Sequence, residues 1–161
     1  MRKDKINYYL DMADAATGRA TCLRRAFGAI IVKNDEIVST GYNGAPRGRE
    51  NCSDCGKCIR QELGVNRGER YELCRSVHAE ANCIISAARR DMIDSTLFLV
   101  GHEVESGEYV KNTAPCAMCK RLIINAGIKE VVVRDSKKEF HSFLVDDWIK
   151  NDESLDGALG Y

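Results

Sequence analysis

Two short motifs constrain this chain more than any other feature of its sequence. In the first, one residue separates His78 from Glu80, and the second is a Pro-Cys-x-x-Cys stretch that contains Cys116 and Cys119. One imidazole and two thiolates make three protein ligands for a tetrahedral Zn²⁺, which leaves the fourth position open to water. An open position distinguishes a catalytic zinc site from a structural one. The motifs therefore predict that two distant segments meet around one metal ion.

The glutamate beside this predicted site is placed to carry protons. Glu80 lies two residues beyond His78, where its carboxylate can reach the water without binding the metal. Zinc lowers the pKa of its bound water from 15.7 to roughly 7, so hydroxide becomes available at neutral pH. A carboxylate next to that hydroxide can pass its proton to a substrate. The pattern indicates a hydrolytic reaction.

Both motifs are predicted to stand at the start of a helix. Residues 79–88, after His78, are rich in alanine and have apolar residues at helical spacing. Pro115 suits the start of a second helix over 116–126, and Gly127 follows as a stop signal. A helix N-terminus lowers the pKa of a thiol, which favours the thiolate that zinc binds.

Each motif taken alone has a plainer interpretation. A C-x-x-C pair can be a redox pair or one half of a zinc ribbon. A single histidine on a helix is more often a structural residue, and we expect ordinary surface or core roles for the remaining two, His102 and His141. The order of the motifs, and their position at two helix starts, favour the catalytic zinc site.

The bulk properties are those of one domain without a membrane segment. The chain has 161 residues, enough to bury a core. It has no run of about 18 apolar residues, and the charged residues 1–5 lead into no apolar segment, so we expect neither a membrane span nor a signal peptide. The formal net charge is zero, which argues against a dedicated nucleic-acid binder. We expect a cytoplasmic protein with a small-molecule substrate and without nucleic-acid or membrane partners.

Hydrophobic patterning predicts helices and strands in alternation. The predicted helices cover residues 4–20, 79–88, 116–126 and 143–149, and the predicted strands cover 27–32, 36–40, 96–100 and 130–134. The first two strands, joined by a turn at Asn34-Asp35, predict an antiparallel hairpin. The later alternation implies parallel neighbours in a mixed sheet, with ligands at the carboxyl ends of strands. The tail from about residue 151 is predicted to be loose.

Two loops between these elements are informative. The glycine-rich loop Gly41–Gly48 follows a strand, and it is either a functional loop or a simple turn. Residues 49–75 show little periodicity, although a loop of this length is unusual unless something holds it. Its cysteines are Cys52, Cys55, Cys58 and Cys74. Either a structural zinc binds them, with Cys74 or the upstream Cys22 completing the set, or they are reduced and unliganded.

Four stretches of the chain resemble the deoxycytidylate (dCMP) deaminase family of the cytidine deaminase-like fold. They are residues 21–25 followed by Gly28-Ala29, residues 41–44, residues 77–80, and residues 115–119 followed by 122–128. The H-x-E and P-C-x-x-C motifs are also the signature of other zinc nucleobase deaminases. The resemblance runs from about Thr21 to Arg134. It implies a three-layer α/β fold with a mixed central sheet and helices on both faces, in one domain over residues 1–161 with a Cys-rich insertion at about 49–75.

The resemblance also implies an activity, the hydrolysis of dCMP to dUMP and ammonia, which supplies dUMP for thymidylate synthesis. By this resemblance, Asn43 of this chain would contact the sugar, Arg24 would hold or gate the phosphate, and Ala79 would offer backbone contacts to the base. The residues that it assigns to the catalytic zinc and to proton transfer are His78, Cys116, Cys119 and Glu80.

Further expectations rest on the same resemblance. Some members carry a second, structural zinc between the glycine-rich loop and the histidine motif. The ligands implied for it here are Cys22, Cys52, Cys58 and Cys74, with Cys55 as an alternate. Many members form hexamers and some respond to dCTP and dTTP, so a homo-oligomer and these two effectors are expected. The chain departs from the family in its extra Cys55 and in residues 112–114 before Pro115.

Two other functions stay open on the sequence alone. The first is a deaminase of another nucleotide, of a nucleoside or of a tRNA base, although the neutral charge and the Gly-Tyr-Asn-Gly loop argue against tRNA. The second is a noncatalytic, zinc-stabilised binding module. Glu80 argues against this module, because a structural zinc site needs no acid–base residue.

Overall fold

A mixed five-stranded sheet forms the centre of the structure, which is a computed structural model that describes residues 1–156. The strands are β1 (Arg25–Lys33), β2 (Glu36–Tyr42), β3 (Thr96–Glu103), β4 (Glu130–Arg134) and β5 (Phe140–Leu144). Their order across the sheet is β2-β1-β3-β4-β5. β3 and β4 are parallel, and the other neighbours are antiparallel. The predicted mixed sheet is confirmed.

Seven α-helices lie between and over these strands in the described part of the chain. They are α1 (Lys5–Thr17), α2 (Cys52–Cys55), α3 (Ile59–Glu62), α4 (Ala79–Ile85), α5 (Arg89–Met92), α6 (Ala117–Ala126) and α7 (Val145–Lys150). Short 3-10 helices occupy Tyr71–Leu73 and Glu153–Asp156. No helix within residues 1–156 is both long enough and apolar enough to cross a membrane.

The two faces of the sheet bury two separate hydrophobic clusters. One face packs against α4 and α6, and the strand residues on it are Ala29, Ile31, Leu97, Leu99, Val131 and Val133. The other face packs against α1, and its strand residues are Ile30, Val32, Phe98, Val100 and Val132. Successive side chains of a strand point to opposite faces, so each fully apolar strand serves both clusters. Helices on both faces, as expected for the three-layer fold, are confirmed.

The N-terminal hairpin forms where the sequence predicts it. Asn34 and Asp35 join β1 to β2 with φ angles of 51° and 64°, and positive φ at both positions is typical of a type I′ turn. Asn and Asp tolerate this left-handed conformation better than other non-glycine residues. The turn chemistry therefore sets the register of β1 on β2.

Two glycines allow helices to approach the sheet at backbone distance. A Cβ on Gly28 would lie 2.1 Å from the carbonyl oxygen of Ala13 in α1. A Cβ on Gly41 would lie 2.4 Å from the carbonyl oxygen of Ala79 in α4. Gly41 is thus required by the close packing of α4 on β2, not by a turn.

The Cys-rich segment is held by a buried arginine. Arg60 is 5% exposed and donates hydrogen bonds to the backbone carbonyls of Asn66 and Glu69, at 2.6 to 3.2 Å. Its guanidinium also lies 4.3 Å from the ring centroid of Tyr71. These contacts order a long, irregular loop through a side chain that the sequence pattern did not single out.

The C-terminal region differs from the sequence prediction. Phe140–Leu144 form β5, so the predicted helix over 143–149 was wrong at its start, and α7 begins at Val145. Phe143 of β5 packs on Trp148 of α7, with 5.7 Å between ring centroids. Part of the tail predicted to be loose forms the 3-10 helix Glu153–Asp156, and residues 157–161 lie outside the described residues.

Candidate active site

The structure brings His78, Cys116 and Cys119 together from the starts of two helices. His78 occupies the N-cap position of α4, Cys116 occupies that of α6, and Cys119 lies in the first turn of α6. The Sγ atoms of both cysteines lie 3.5 Å from Nδ1 of His78. All three donor atoms lie within 4.8 Å of one another.

This donor set fits a zinc ion. Zn–S bonds of about 2.3 Å and Zn–N bonds of about 2.0–2.1 Å place S and N ligands of a tetrahedral site roughly 3.6 Å apart. The S···N separations of 3.5 Å match that value, and both thiols are free instead of joined in a disulfide. Within residues 1–156, no other group of three His, Cys, Asp or Glu residues has its donor atoms this close.

The two thiols of this set affect each other's ionisation. The neighbouring Cys119 thiol, together with His78, holds the pKa of Cys116 well below that of a free thiol. The proximity of Cys116, together with burial, raises the pKa of Cys119. Because zinc binds thiolates, metal binding must release the proton that the pair holds. Zinc affinity is therefore coupled to pH at this site.

Glu80 lies in the first turn of α4 and lines the same cavity as His78. Its side chain is almost fully buried, with 6% exposed. Burial raises the pKa of this carboxyl above its usual range, against the opposing effect of the nearby His78. A buried carboxyl with a raised pKa is suited to accept a proton and give it up again near neutral pH.

The glycine-rich loop fixes the backbone next to His78. Gly44 and Val77 exchange two backbone hydrogen bonds, of 3.2 and 2.7 Å. Asn82 of α4 also donates from Nδ2 to the carbonyl of Tyr42, at 2.7 Å. Of the two interpretations of this loop, the structure therefore favours the functional loop over the simple turn, because the loop connects the end of β2 to the start of α4, where the metal ligand His78 lies.

A cavity of about 280 Å³ opens over the donor set. Asn43, which follows β2, and residues 110–114, which follow β3, form parts of its wall. The predicted location at the carboxyl ends of strands, where α4 and α6 converge, is confirmed. The other residues that the sequence assigned to the catalytic zinc, to proton transfer or to the substrate, and that line this cavity, are Arg24, His78, Ala79, Glu80 and Cys116.

Four arginines line the cavity, of which the sequence singled out only Arg24. The other three are Arg25, Arg60 and Arg67. Glu103 pairs with Arg25 at 3.1 Å and with Arg67 at 3.6 Å. Within the described residues, Arg24 and Arg60 form no ion pair with a carboxylate. The residues that line the cavity therefore carry an excess of positive charge.

Two further cavity residues were missed by sequence reasoning. The ring of Tyr71 packs edge-on against His78, with 5.2 Å between centroids. The hydroxyl of Ser76 is buried at the cavity and has no hydrogen-bond partner within residues 1–156. Both lie in or next to the Cys-rich segment, where no periodicity or motif distinguishes them from other loop residues.

The cysteines assigned to a second zinc are only partly gathered. Cys22, Cys58 and Cys74 line the cavity, whereas Cys52 and Cys55 do not belong to its wall. Burial raises the pKa of Cys22, and its neighbours Cys74 and Cys58 raise it further. In the described part of the chain, these thiols do not form a group within ligand distance of one another.

A His-Cys-Cys donor set at two helix starts, with a buried glutamate in the first turn of one helix, defines the centre of a zinc nucleobase deaminase. Comparison with known proteins leads to the same class. The family model for the cytidine and deoxycytidylate deaminase zinc-binding region matches residues 3–135. The chain therefore belongs to the cytidine and deoxycytidylate deaminase family.

Relatives within the family include two deoxycytidylate deaminases. The one from Mycobacterium phage D29 is 36% identical over 133 residues, which cover 81% of this chain and 94% of the relative. The one from Schizosaccharomyces pombe is 32% identical over 130 residues, which cover 81% of this chain and 37% of the relative. The chain thus spans nearly all of the phage protein but only about a third of the yeast protein.

Solved structures support the fold. The dCMP deaminase of cyanophage S-TIM5, in complex with dCMP and dUMP, superposes with a TM-score of 0.58 at 25% identity and covers 96% of this chain and 94% of that one. The cytidine deaminase of Burkholderia pseudomallei superposes with a TM-score of 0.56 at 19% identity, covering 87% of this chain and 92% of that one. The cytidine deaminase-like fold implied by the sequence is confirmed.

Proposed function

We propose that this protein hydrolyses dCMP to dUMP and ammonia. The observation that carries the proposal is the buried carboxylate of Glu80, which shares one cavity with His78 and Cys116 of the donor set and with four arginines. A proton carrier and an excess of positive charge in one cavity match a cytosine base joined to a phosphate. Water and dCMP on one side balance dUMP and ammonia on the other.

The chemistry at the base end follows from the donor set and Glu80. His78, Cys116 and Cys119 would hold zinc, which makes hydroxide available by lowering the pKa of water to roughly 7. A carboxylate oxygen of Glu80 would take the proton of the attacking water and deliver it to the ring nitrogen N3 of cytosine. It would then pass a proton to the departing amino group. The raised pKa of the buried carboxyl allows Glu80 to hold the proton between these transfers.

Two residues would orient the nucleoside. Ala79 is the first residue of α4, where backbone N–H groups lack partners within the helix, and it lines the cavity. Its backbone would therefore contact the base. Asn43 also lines the cavity, and its amide retains one N–H and one oxygen lone pair beyond its two bonds to β1. These would bind a sugar hydroxyl.

The phosphate would bind at the arginine wall. Arg24 lines the cavity without a carboxylate partner in the described residues. A guanidinium presents forked N–H donors that match two phosphate oxygens. Arg25 and Arg67 are partly neutralised by Glu103, so Arg24 is the stronger candidate of the three for direct contact.

The test of the proposed function is ammonia release from dCMP, dCTP, deoxycytidine and CMP at matched concentrations. A strong preference for dCMP is the expected result. Activity on deoxycytidine alone would remove the phosphate role of Arg24 and indicate a nucleoside deaminase. No activity on any of the four, in protein with zinc bound, would overturn the assignment of dCMP and leave the substrate open, with a deaminase of another substrate and a noncatalytic module as the alternatives.

We extend the proposal to a second, structural zinc held by Cys22, Cys52, Cys58 and Cys74, with Cys55 as the alternate ligand. Its support is that all five thiols are free and that the pKa of Cys52, raised first by burial, is raised further by Cys22 and Cys74 nearby. The thiols would have to move closer to bind metal.

The homo-oligomeric state, with the hexamer as its expected form, and the effectors dCTP and dTTP belong to the same proposal. Size-exclusion chromatography with light scattering, and assays with added dCTP or dTTP, would test them. The cytoplasmic location stays a prediction.

A further inference from the structure

His141 lies on β5, outside the cavity, and its ring bridges two segments of the chain. Nδ1 lies 2.8 and 2.7 Å from the two carboxylate oxygens of Asp135, which follows β4. Nε2 lies 2.9 Å from the carbonyl oxygen of Thr113. A carbonyl oxygen only accepts hydrogen bonds, so in the contact with Thr113 the ring of His141 is the donor.

The carbonyl that His141 binds belongs to a wall of the catalytic cavity. Residues 110–114 line the cavity on one side. On the other side, residues 111–113 line a second, more open cleft together with Asp135, His141 and Phe143. This segment, which we name the partition (residues 110–114), therefore separates the substrate cavity from the cleft that contains His141.

The partition has few other attachments. Val110 at its start donates its N–H to the carbonyl of Gly101, at 2.9 Å, and Pro115 after its end leads into the metal ligand Cys116. Between these points the segment forms neither helix nor strand, and Asn112 has a φ of 53°. The buried Thr113 is held by its own hydroxyl bond to Val110 and by His141. Among the hydrogen bonds formed within residues 1–156, the one from His141 to Thr113 thus ties the middle of the partition to the sheet.

The sheet geometry explains why this histidine can reach the partition. His141 pairs in register with Val133 of β4, and Phe143 pairs with Val131. Both valines face the cluster that packs under α4 and α6. The ring of His141 is therefore on the face of the sheet that carries the donor set, and the edge-on ring of Phe143, at 5.2 Å, supports it.

We propose that His141 is a positioning residue for the reaction: through the carbonyl of Thr113 it sets the place of the partition and so the fit of the substrate base, while Asp135 orients its ring. The inference rests on the proposed function, because it assumes that the substrate contacts the wall that the partition forms. An error of about 1 Å in such a wall can cost as much as 100-fold in rate.

The chain supplies a matched control in His102. Its Nε2 lies 2.6 Å from a carboxylate oxygen of Asp14, and its Nδ1 lies 3.1 Å from the carbonyl of Gly107. An aromatic ring, that of Tyr109, packs beside it at 4.5 Å. His102 thus has the same carboxylate–imidazole–carbonyl arrangement, but it does not line the cavity.

The experiment compares steady-state kinetics on dCMP for wild type, His141→Phe, His141→Gln, His102→Phe and His102→Gln. Loss of folded protein lowers apparent kcat, whereas KM reports only the molecules that bind substrate. We expect His141→Phe to raise KM roughly 10-fold, because the ring no longer donates to Thr113. His141→Gln keeps an N–H donor and should stay within about 3-fold of wild type. Both His102 variants should leave KM within about 2-fold, whatever they do to thermal stability.

Each outcome decides the inference. Equal KM changes in the His141 and His102 variants, or an unchanged KM in folded His141→Phe, would overturn it. If His141→Phe does not fold, Asp135→Ala serves in its place, because it keeps His141 but removes the carboxylate that orients the ring. This variant should raise KM several-fold, and an unchanged KM would also overturn the inference. A wild-type protein that is inactive on dCMP would instead contradict the proposed function. The same KM comparison would then use whichever of dCTP, deoxycytidine and CMP is turned over.

Discussion

The side-chain oxygen of Asn43 accepts a hydrogen bond from the backbone N–H of Phe27, at 2.8 Å. Its amide nitrogen donates to the carbonyl of Arg25 at 2.9 Å, and the side chain is 6% exposed. The residue assigned to the substrate sugar therefore also fixes the first residues of β1, which form part of the cavity wall. One amide group would therefore serve both substrate binding and the stability of β1.

Replacing Asn43 should therefore cost stability as well as substrate binding. Asn43→Ala leaves a buried N–H and a buried carbonyl of β1 unpaired, which should lower the free energy of unfolding by about 1–3 kcal/mol. Urea unfolding measures this loss, and the KM for dCMP measures the loss of the sugar contact. Asn43→Asp can accept from Phe27, but its buried carboxylate would face the carbonyl oxygen of Arg25 without a donor, so it should be no more stable than Asn43→Ala. Unchanged stability in both variants would leave Asn43 with a binding role alone.

Gly41 should tolerate no side chain, because α4 packs directly on it. A Cβ at this position would lie 2.4 Å from the carbonyl oxygen of Ala79 and 2.7 Å from the amide nitrogen of Cys83. Gly41→Ala should therefore push α4 outward, with a loss of about 1–3 kcal/mol of stability and at least a roughly 10-fold loss of kcat/KM as His78 and Glu80 move.

Gly18→Ala is the matched control for this substitution. Gly18 has a φ of −61°, and a Cβ there would meet only the carbonyl oxygen of Ala15, at 3.4 Å. Alanine fits this conformation, so stability should stay the same or rise by about 0.4–1 kcal/mol. Thermal unfolding and the dCMP assay on both variants separate the two cases. Equal behaviour of the two glycines would contradict the close packing of α4 on β2.

Sequence reasoning succeeded where the signal is local. The Asn34-Asp35 turn, the strand Glu130–Arg134 and the helix that ends at Gly127, whose φ is 81°, all follow from a few neighbouring residues. β5 was missed because residues 140–144 of this edge strand do not alternate apolar with polar, and the half-buried positions are His141 and Phe143. Its pairing with β4 is a tertiary contact that no local pattern records.

The same division holds for the site. His78, Glu80, Cys116 and Cys119 were predicted because their chemistry requires fixed spacing along two helix starts. Arg25, Arg60, Arg67 and His141 reach the cavity or its wall only through the fold. An arginine in a loop or a histidine on an edge strand has no spacing that would identify it. The close packing at Gly41 was likewise hidden, since the sequence indicated only a functional loop or a simple turn there.

If the proposed second zinc site exists, the protein should contain about two zinc ions per chain. The structure gathers one complete donor set within residues 1–156, so the second ion would have to draw Cys22, Cys58 and Cys74 together with Cys52. Metal analysis of fresh, reduced wild type should give about two per chain, and Cys52→Ser should give about one with the catalytic ion retained. Loss of the second ion should also loosen residues 49–75, because metal binding free energy there is folding free energy. One zinc per chain in wild type would count against this site.

Stability on the acid side should depend on Asp11. Its carboxylate accepts hydrogen bonds from Lys3 and from the buried guanidinium of Arg134, and these bonds lower the pKa of Asp11 in the folded state. A lowered folded-state pKa contributes stability above the unfolded value of about 3.9, and this contribution is lost as pH falls through the folded value. Asp11→Asn should therefore be less stable than wild type at pH 5, and the difference should shrink as the pH falls below about 3.9.

The size of this difference should be modest, about 1 kcal/mol, because the Asp11 side chain is 41% exposed and solvent screens the pair. Urea unfolding of both proteins at several pH values between 5 and 2 measures it, and common effects such as loss of zinc cancel in the difference. Asp146→Asn changes an exposed carboxylate paired only with Lys150 and should shift stability by less than about 0.5 kcal/mol. A gap between wild type and Asp11→Asn that does not shrink with acid would show that the ion pair is not its source.

Glu80→Gln separates the proton carrier from the metal site. Glutamine has nearly the same shape and fills the same buried position, but it cannot take up a proton from water. We expect kcat on dCMP to fall roughly 100-fold or more, the scale of lost general acid–base catalysis, while zinc content stays at the wild-type value because Glu80 is not a ligand. Glu108→Gln removes an exposed carboxylate outside the cavity and should leave kcat within about 2-fold. Full activity in Glu80→Gln would show that another group carries the proton. Loss of zinc together with loss of activity would show that Glu80 is needed for metal binding instead.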